Sequence, residues 1–375
     1  MIYNESKYNT SWKTEKLSGL GVFSRGISKH RPRNDPRLFT GGGYPLVQTG
    51  EIKEANLFIT SHTQEYGEFG LQQSRLWDAG TLCITIAANI AETAILSYPM
   101  CFPDSVVGFQ ANKAVSSELF MYYVFDYIRT AIQGAATGSA QDNINIDYLT
   151  SLEFKIPSKE YQDKIVGIVG SLDRMILKNE QINDNLQQMA HMTFMHCFWG
   201  KPTNGTIGEI LIEHEKSAIQ VGQAKNTVGS YPFFTSGDAV LRWKSSLIDG
   251  RNIFMNTGGN AGVKFYVGKA AYSTDTWCVS ARDGLSDYLY LFLDSIKPEL
   301  SQKFFQGTGL KHLQKPILKN RPMYIPSKDE LEVFNHSVIP WLTLVSDNIR
   351  ESERLAALRD WLLPMLMNGQ ATIED

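Results

Sequence analysis

The sequence predicts an α+β protein in which two globular domains are joined by two long antiparallel coiled-coil helices and related by a pseudo-twofold internal repeat. Three observations predict this plan: similar segments recur in the same order, apolar residues after each copy follow a helical spacing, and the remainder consists of short β-rich runs. The 375 residues then divide into a first domain (1–155), a first helix (156–200), a second domain (201–325) and a second helix (326–375).

The repeat is visible as short matched segments that keep their order along the chain. The matched pairs are 45–51 with 232–238, 81–91 with 252–262, 102–106 with 273–277, and 156–200 with 325–369. The third pair places Asp104 over Asp275. With one such carboxylate in each domain, we expect a cap or a hairpin contact there rather than a shared acidic site.

Each copy of the last matched segment begins with a helix-start signal. Pro157 and Pro326 end the preceding structure, and Ser158 and Ser327 are natural N-caps. Apolar residues of the first copy then alternate at spacings of three and four, which is typical of a coiled-coil seam. At 1.5 Å per residue, a helix of ~40 residues is about 60 Å long. Two such helices would hold two globular heads apart.

The seam of this helix pair is predicted to contain two asparagines at equivalent positions. The seam residues expected are Ile168, Leu172, Asn179, Ile182 and Leu186 in the first helix, and Trp341, Leu344, Asn348 and Leu355 in the second. Antiparallel packing would bring the amides of Asn179 and Asn348 together, where a polar seam residue fixes the register. The alternative is that both amides face solvent at the edge of the seam.

Composition places the chain among ordinary globular proteins. Apolar residues make up 43% and charged residues 20% of it, which excludes disordered, collagen-like and disulfide-scaffold classes. The four cysteines form no C-x-x-C motif, so we expect no zinc ribbon or redox pair, and the reducing cytoplasm as the compartment. The first residues resemble no secretory signal, and the most apolar stretch, 81–96, is too short to cross a bilayer. We expect no membrane partner.

Charge is unevenly distributed along the chain, although the net charge is only −3. Basic side chains are in excess in 201–325 and acidic ones in 326–375, an asymmetry expected when one region meets phosphate. The segment 24–37 concentrates basic residues around the single Asp35. Gly-rich loops at 256–262 and 306–313 would let the backbone approach phosphates or base edges. The alternatives are a solvated basic surface and plain hairpin turns.

Motifs for catalysis are missing from the sequence. It contains no H-E-x-x-H, no G-x-G-x-x-G, no P-loop, no nucleophile elbow, no motif for S-adenosylmethionine and no Asn-Pro-Pro-aromatic tetrapeptide. His191 and His196 are five residues apart and would lie on different faces of a helix, so no metal site is expected there. The sequence therefore predicts a binding protein without catalytic activity, cofactor or metal of its own.

Three segments of the chain resemble the DNA-specificity subunit of type I restriction–modification systems. They are Gly307–Leu313 leading to Ile325-Pro-Ser, then Ile156–Ile165, and the helix end Leu358–Gly369. The resemblance covers essentially the whole chain. It implies two target-recognition domains, separated by antiparallel helices, that each read one half of a bipartite site in double-stranded DNA.

The resemblance also implies partner subunits. Family members bind two methyltransferase subunits, which carry S-adenosylmethionine and methylate adenine N6. Two ATP-dependent translocase–nuclease subunits, for which ATP and Mg²⁺ are expected, can join to give the restriction complex. The chain itself would be the non-catalytic subunit of this methyltransferase and endonuclease. The alternative from another class is a coiled-coil adaptor whose two heads bind protein partners.

Residues for DNA contact are chosen by loop position and charge. They are Arg25, Lys29, His30, Arg31, Arg33, Gln48, Thr49, Asn89 and Gln141 in the first domain, and Thr235, Ser236, Asn256, Thr257, Asn260, Thr274, Thr308, Gly309, Lys311 and His312 in the second. The first domain departs from the family pattern, because its loop 136–142 lacks the lysine that the second has at Lys311. The basic segment that ends at Arg37 would supply the charge there instead.

Overall fold

The computed structural model shows two compact units, and the division between them falls within both long helices. The first unit comprises Met1–Leu177 and Glu353–Asp375, and the second comprises Lys178–Ser352. The structure describes residues 2–87, 89–137, 144, 146–307, 309 and 311–373. The predicted contacts Gln141 and Thr308 lie outside the described residues.

The first unit consists of short strands and one long domain helix. Its strands are β1 (Lys13–Lys16), β2 (Gly21–Arg25), β3 (Tyr44–Leu46), β4 (Phe58–Ile59), β5 (Gln64–Tyr66), β6 (Leu76–Trp77), β7 (Leu82–Thr85), β8 (Thr93–Leu96), β9 (Met100–Cys101), β10 (Val106–Ala111) and β11 (Glu153–Ile156). Its helices are α1 (Leu17–Leu20), α2 (Thr49–Glu54), α3 (Glu68–Gln72), α4 (Glu118–Thr137), α5 (Ile146–Ser151) and the first part of α6 (Lys159–Phe198).

Three sheets organise the strands of the first unit. The largest has the order β2-β10-β7-β8-β4, the second has the order β5-β3-β9-β6, and β1 pairs with β11. In the second sheet β3 and β9 run parallel, with Leu46 opposite Cys101. The aromatic face of α4 is buried among the sheet residues in the main core.

The second unit contains a similar set of elements. Its strands are β12 (Gly205–Thr206), β13 (Leu211–Glu213), β14 (Tyr231–Phe234), β15 (Val240–Trp243), β16 (Arg251–Asn256), β17 (Val263–Val267), β18 (Ala271–Tyr272), β19 (Thr276–Ala281), β20 (Phe305–Gln306), β21 (His312–Leu313) and β22 (Pro322–Met323). Its helices are α7 (Ile207–Ile210), α8 (Val221–Lys225), α9 (Ser286–Ser295), α10 (Lys297–Glu299), α11 (Lys315–Lys319) and the first part of α12 (Lys328–Met367).

The sheets of the second unit repeat those of the first. The order β13-β19-β16-β17 matches β2-β10-β7-β8, the order β15-β14-β18 matches β5-β3-β9, and β12-β22 matches β1-β11. The parallel pair is repeated too, because Phe233 lies opposite Ala271 in β14 and β18. Two chain segments with the same strand order and the same parallel pairing confirm the predicted internal repeat.

The long helices α6 and α12 run antiparallel within each unit. In the first unit Tyr161 Oη donates to the carbonyl of Ala371 at 3.3 Å, and further along α6 Asp173 accepts from Arg359. In the second unit Lys201 pairs with Glu330 at 2.6 Å. Both helices begin as predicted, because the hydroxyls of Ser158 and Ser327 accept from backbone N–H groups three residues on, at 3.3 and 3.4 Å.

The buried stripe of the helix pair lies one residue further along than the sequence predicted. It contains Ile165 and Val169 in the first unit and Val338 and Leu342 in the second. The predicted seam residues Ile168 and Leu344 are 38% and 44% exposed, so these two predictions are wrong. Of the others, Leu355 is buried, and Leu172, Ile182, Leu186 and Trp341 lie half-buried beside the stripe.

The two seam asparagines lie inside the helix pair but do not bond to each other. Asn179 Nδ2 donates to Ser352 Oγ at 3.2 Å, and Asn348 Nδ2 donates to Asn183 Oδ1 at 2.9 Å. Each amide therefore finds its partner one helical turn away from the other asparagine, so the two amides bond to neighbouring residues of the facing helix. Both residues are half-buried, so the solvent-facing alternative is wrong.

A buried ion pair joins the domain to the long helices in each unit. In the first unit Asp173 of α6 accepts from Arg359 of α12 at 2.8 Å and from Tyr123 Oη of α4 at 2.5 Å. In the second unit Asp287 of α9 accepts from Arg251 Nε at 2.6 Å, and Arg251 also donates to Thr343 Oγ1 of α12 at 2.8 Å. The two pairs occupy different positions of the repeat.

No helix in the described part of the chain is long and apolar enough to cross a membrane. All four cysteines are free, and Cys83, Cys101 and Cys278 are buried. Burial raises the pKa of the Cys101 thiol to about 11 and that of Cys278 to about 12. Both thiols are therefore protonated at neutral pH and unsuited to nucleophilic chemistry.

Candidate nucleic-acid interface

Three of the predicted loops of the second unit converge through backbone hydrogen bonds. Thr257 N–H donates to the carbonyl of Asp275 at 3.1 Å, and Leu313 N–H donates to that of Thr257 at 3.0 Å. Gly259 N–H donates to the carbonyl of Lys311 at 3.0 Å. The loops after β16, before β19 and before β21 thus form one surface, although they are up to 55 residues apart in the sequence.

A cleft of about 340 Å³ opens on this surface. Its lining includes three residues that the sequence predicted for DNA contact, Thr257, Thr274 and His312, together with Asp275 and Lys315. Lys311 and Gly309 are exposed beside it, as are the backbone and side chain of Asn260. The structure therefore brings most of the predicted residues of this unit together.

Two predicted contacts of the second unit point inward instead. Thr235 and Asn256 are only 5% and 6% exposed. Thr235 Oγ1 donates to the carbonyl of Ala239 at 2.8 Å, and Asn256 Nδ2 donates to that of Asn260 at 3.0 Å. Both side chains are therefore used to shape their own loops, and their contact with DNA stays a prediction. Ser236, next in the chain, is half-buried.

An acidic residue neutralises two lysines at the rim of the cleft. Glu213 accepts from Lys315 at 2.9 Å and from Lys319 at 2.6 Å. Partial burial alone would raise the pKa of Glu213, but the hydrogen bonds from Lys319 and Lys315 outweigh it and lower the pKa to about 2. Glu213 thus stays ionised at neutral pH. Lys216, which lines the cleft, and Lys311, which lies beside it, are exposed cations with no ion-pair partner among the described residues.

The predicted basic segment of the first unit is held by two aspartates. Arg31 and Arg33 donate to Asp104 at 3.4 and 2.5 Å. His30 and Arg37 contact Asp35 at 2.8 and 2.6 Å, and hydrogen bonds from Arg37 hold the pKa of Asp35 well below its usual range. Asp104 comes from a loop that is distant in the sequence, so its negative charge is not visible in the segment 24–37 itself. The folded surface around this segment is therefore less basic than the segment's own composition indicates.

Other predicted residues of the first unit also converge. Asn89 Nδ2 donates to the carbonyl of Thr49 at 3.5 Å, and Gln48 Nε2 donates to Gln64 Oε1 at 3.4 Å. Ile86 N–H donates to the carbonyl of Ser105 at 2.9 Å, which joins this group to the loop of Asp104. Arg25 and Lys29 are exposed and, within the described ranges, have no ion-pair partner.

Arg75 is a functional candidate that the sequence reasoning missed. Its guanidinium lies 3.8 Å from the ring centroid of Trp77, and its Nη1 donates to Ser24 Oγ at 3.2 Å, beside Arg25. Residues two apart on an extended strand share a face, so the sequence Arg75-Leu-Trp77 already contained the signal for this stacked pair. Among the residues that the structure places, no group of three or more His, Cys, Asp or Glu could hold a metal ion.

Two stretches of the chain, residues 9–188 and 199–337, match a family model described as the type I restriction modification DNA specificity domain. The chain belongs to this family. Each match includes one copy of the structural repeat, so the two target-recognition domains, the long helices that run antiparallel within each unit and the internal repeat form a type I specificity fold.

Curated relatives of this specificity-family chain agree with the match. The chain is 20% identical to the type I restriction enzyme MjaIX specificity subunit of Methanocaldococcus jannaschii, over 98% of this chain and 95% of the relative. It is 25% identical to the type I restriction enzyme HindI specificity subunit of Haemophilus influenzae, over 49% of this chain and 40% of the relative.

A solved structure has the same fold as this family member. The S subunit of the type I restriction–modification system from M. genitalium aligns with a TM-score of 0.64 over 100% of both chains, at 13% sequence identity. At that identity the likeness concerns the fold alone, and base-reading residues are not transferred from it.

Proposed function

We propose that this chain is the non-catalytic DNA-specificity subunit of a type I system and that it reads both halves of a bipartite site in double-stranded DNA. The single observation that carries the proposal is the duplicated loop cluster. In each unit, loops that follow equivalent strands converge by backbone hydrogen bonds and present polar side chains to solvent. One DNA-reading surface in each unit accounts for a site with two separate halves.

The chemistry of the two surfaces supports this reading. Exposed Arg25 and Lys29 in the first unit, and Lys311 in the second, supply cations for phosphates. Asn89, Asn260 and Thr274 supply donors and acceptors for base edges. We propose that these surfaces bind DNA and that the chemistry belongs to partner subunits.

The proposed partners are two methyltransferase subunits that carry S-adenosylmethionine, joined by two translocase–nuclease subunits that use ATP and Mg²⁺. Exposed apolar side chains on the long helices support a protein partner, because contiguous apolar patches on a surface mark interaction sites. Trp361 and Met175 are exposed in the first unit, and Met192 and Val333 in the second. The cytoplasm, where such a complex meets DNA, is the proposed location.

The test is selection of DNA by the full chain together with its methyltransferase partner. Randomised duplexes are bound, recovered and sequenced at a fixed salt concentration. The proposal expects enrichment of a split motif with two short defined halves and an undefined spacer. Enrichment of nothing, or of one continuous motif, would contradict it.

One observation favours the adaptor reading, in which the heads bind proteins. Four basic residues of the proposed surfaces, Arg31, Arg33, Lys315 and Lys319, are already paired with carboxylates of their own unit. An adaptor would show DNA binding that is equally weak for every sequence, and the selection experiment separates the two functions directly.

A further inference from the structure

The repeated aspartates Asp104 and Asp275 have different surroundings in the two units. Asp104 lies between β9 and β10, and Asp275 lies between the equivalent strands β18 and β19. Asp104 accepts hydrogen bonds from Arg31 and Arg33. The carboxylate of Asp275 has no side-chain partner in the described part of the chain. The Ile219 carbonyl accepts from Thr274 N–H in this loop, and the cleft that Asp275 lines contains Lys216 and Lys315 but no arginine.

The two arginines at Asp104 are not equally available for a ligand. Arg31 turns its Nη1 back onto the carbonyls of Ser28 and His30, the latter at 2.9 Å. Arg33 donates only its Nη2, to Asp104. Its Nε and Nη1 donors have no partner among the residues described, and half of its side chain is exposed. Arg33 is therefore a guanidinium fixed at one nitrogen and open at the others.

Asp104 holds Arg33 next to the loops of the first unit that are proposed to contact DNA. The carbonyl of Ser105, next to Asp104, accepts from Ile86 N–H at 2.9 Å, and the loop after Ile86 contains Asn89, whose Nδ2 reaches the carbonyl of Thr49. The arginine thus stands beside the loops proposed to meet base edges.

We propose that Arg33, held by Asp104, reads a guanine in the half-site bound by the first unit, and that the second unit has no arginine reader at the equivalent place. This inference rests on the proposed function. Nη2 carries a second hydrogen beside the one donated to Asp104, and together with the open Nε or Nη1 donor on the same edge it forms a parallel pair. Such a pair matches the O6 and N7 acceptors of guanine in the major groove, the commonest specific contact between protein and DNA.

The carboxylate argues for a base contact rather than a phosphate contact. Asp104 lowers the net charge of the segment, which weakens attraction to phosphates, since that attraction depends on charge and little on orientation. It also fixes the plane of the Arg33 fork, which matters for bidentate recognition of a base edge. Asp104 therefore lowers the net charge of the segment but fixes the orientation of the Arg33 guanidinium.

The experiment repeats the selection from randomised duplexes with the full chain and its methyltransferase partner, comparing wild type, Arg33→Lys, Asp104→Ala and Asp275→Ala. Arg33→Lys keeps the charge but loses the fork. It is expected to lower the preference for one guanine in one half-site on the order of ten-fold to a hundred-fold, with the other positions unchanged. Asp104→Ala should weaken the same preference. Asp275→Ala can change only the other half.

Other outcomes overturn the inference in distinguishable ways. If Arg33→Lys leaves the base preference unchanged, Arg33 reads no base, because the lysine keeps any contact with a phosphate. If Arg33→Lys weakens binding to all sequences alike, Arg33 acts on the whole surface and not on one guanine. If the wild-type chain enriches no motif at all, the proposed function itself fails and this inference with it. The thermal unfolding midpoint of Arg33→Lys serves as the folding control. We expect it to be unchanged, because half of the Arg33 side chain is exposed.

Discussion

At the scale of single residues, a basic side chain can contact a DNA phosphate fully only if no carboxylate of the protein already neutralises it. Lys311 is exposed beside the cleft of the second unit, whereas Lys315 and Lys319 share Glu213. A lysine that already neutralises a carboxylate releases no counterion from a phosphate. The free lysines Lys216 and Lys311 should therefore dominate the electrostatic contribution of this rim.

We therefore expect Lys311→Ala to weaken DNA binding of the assembled complex for all sequences alike and to lower the slope of log K against log salt by about 1. The matched control is Lys315→Ala, which should leave that slope nearly unchanged because Lys319 still pairs with Glu213. Affinity measured at several salt concentrations checks both variants. A changed base preference in Lys311→Ala would mean that Lys311 reads a base.

Sequence reasoning identified Lys311 but could not tell which polar residues of a loop turn inward. Thr235 and Asn256 were chosen for the same reason as Thr257, yet only Thr257 lines the cleft. The direction of a loop side chain depends on backbone contacts with distant segments, such as the bond between Asn256 and Asn260. The pairing of Asp104 with Arg33 is likewise a contact across 71 residues, which no local pattern reveals.

At the scale of elements, polar residues in the buried stripe explain why the seam was predicted one position off. Asp173 and Asn183 are buried in α6, at 5% and 8% exposure. A prediction from apolar spacing omits such polar residues and selects the neighbouring Ile168 and Leu172 instead. The helices themselves were predictable from their caps and spacing, whereas the rotation of α6 was set by an ion pair with α12.

The buried group around Asp173 has an apolar counterpart in the other unit. Matching Ile128 with Ile296 and Ile156 with Ile325 places Tyr123, Asp173 and Arg359 over Leu291, Leu342 and Ala190. All three counterparts are buried. Equivalent positions of the repeat are therefore filled by an ion pair and a tyrosine hydroxyl in the first unit and by apolar side chains in the second.

Replacing one member of the group Tyr123, Asp173 and Arg359 should lower the free energy of unfolding, whereas replacing all three together should lower it much less. We expect Asp173→Leu alone to lower the free energy of unfolding by about 3 kcal/mol, because Arg359 loses its buried partner and keeps only the exposed Asp360, and because the Tyr123 hydroxyl loses its acceptor. The triple variant Tyr123→Leu, Asp173→Leu, Arg359→Ala copies the second unit and should recover most of the loss. Thermal unfolding of the three chains provides the comparison. A triple variant less stable than Asp173→Leu would contradict this account.

At the scale of the whole molecule, duplication was the most predictable property. The order of matched segments predicted two domains and two helices, and the strand orders of the two units repeat accordingly. The sequence did not predict that the compact units divide within the helices. That division depends on contacts between α6 and α12, which are distant in the chain and join each domain to parts of both helices.

Exchange of one recognition domain tests the modular reading of the whole chain. Replacing 206–325 by the domain of another family member should change only one half of the recognised motif. That segment contains both Arg251 and Asp287, so the exchange removes both members of the buried pair. The other bonds that α12 loses go mainly to backbone groups, such as the N–H and carbonyl of Val267 and the carbonyl of Gly284, which another domain of the same fold can supply. Replacing 1–155 removes Tyr123 but leaves Asp173 and Arg359 behind. We expect the first exchange to be tolerated better than the second, which needs a tyrosine at the position of Tyr123. Motif selection and thermal unfolding of both chimaeras decide the matter; a change in both halves of the motif would contradict modular recognition.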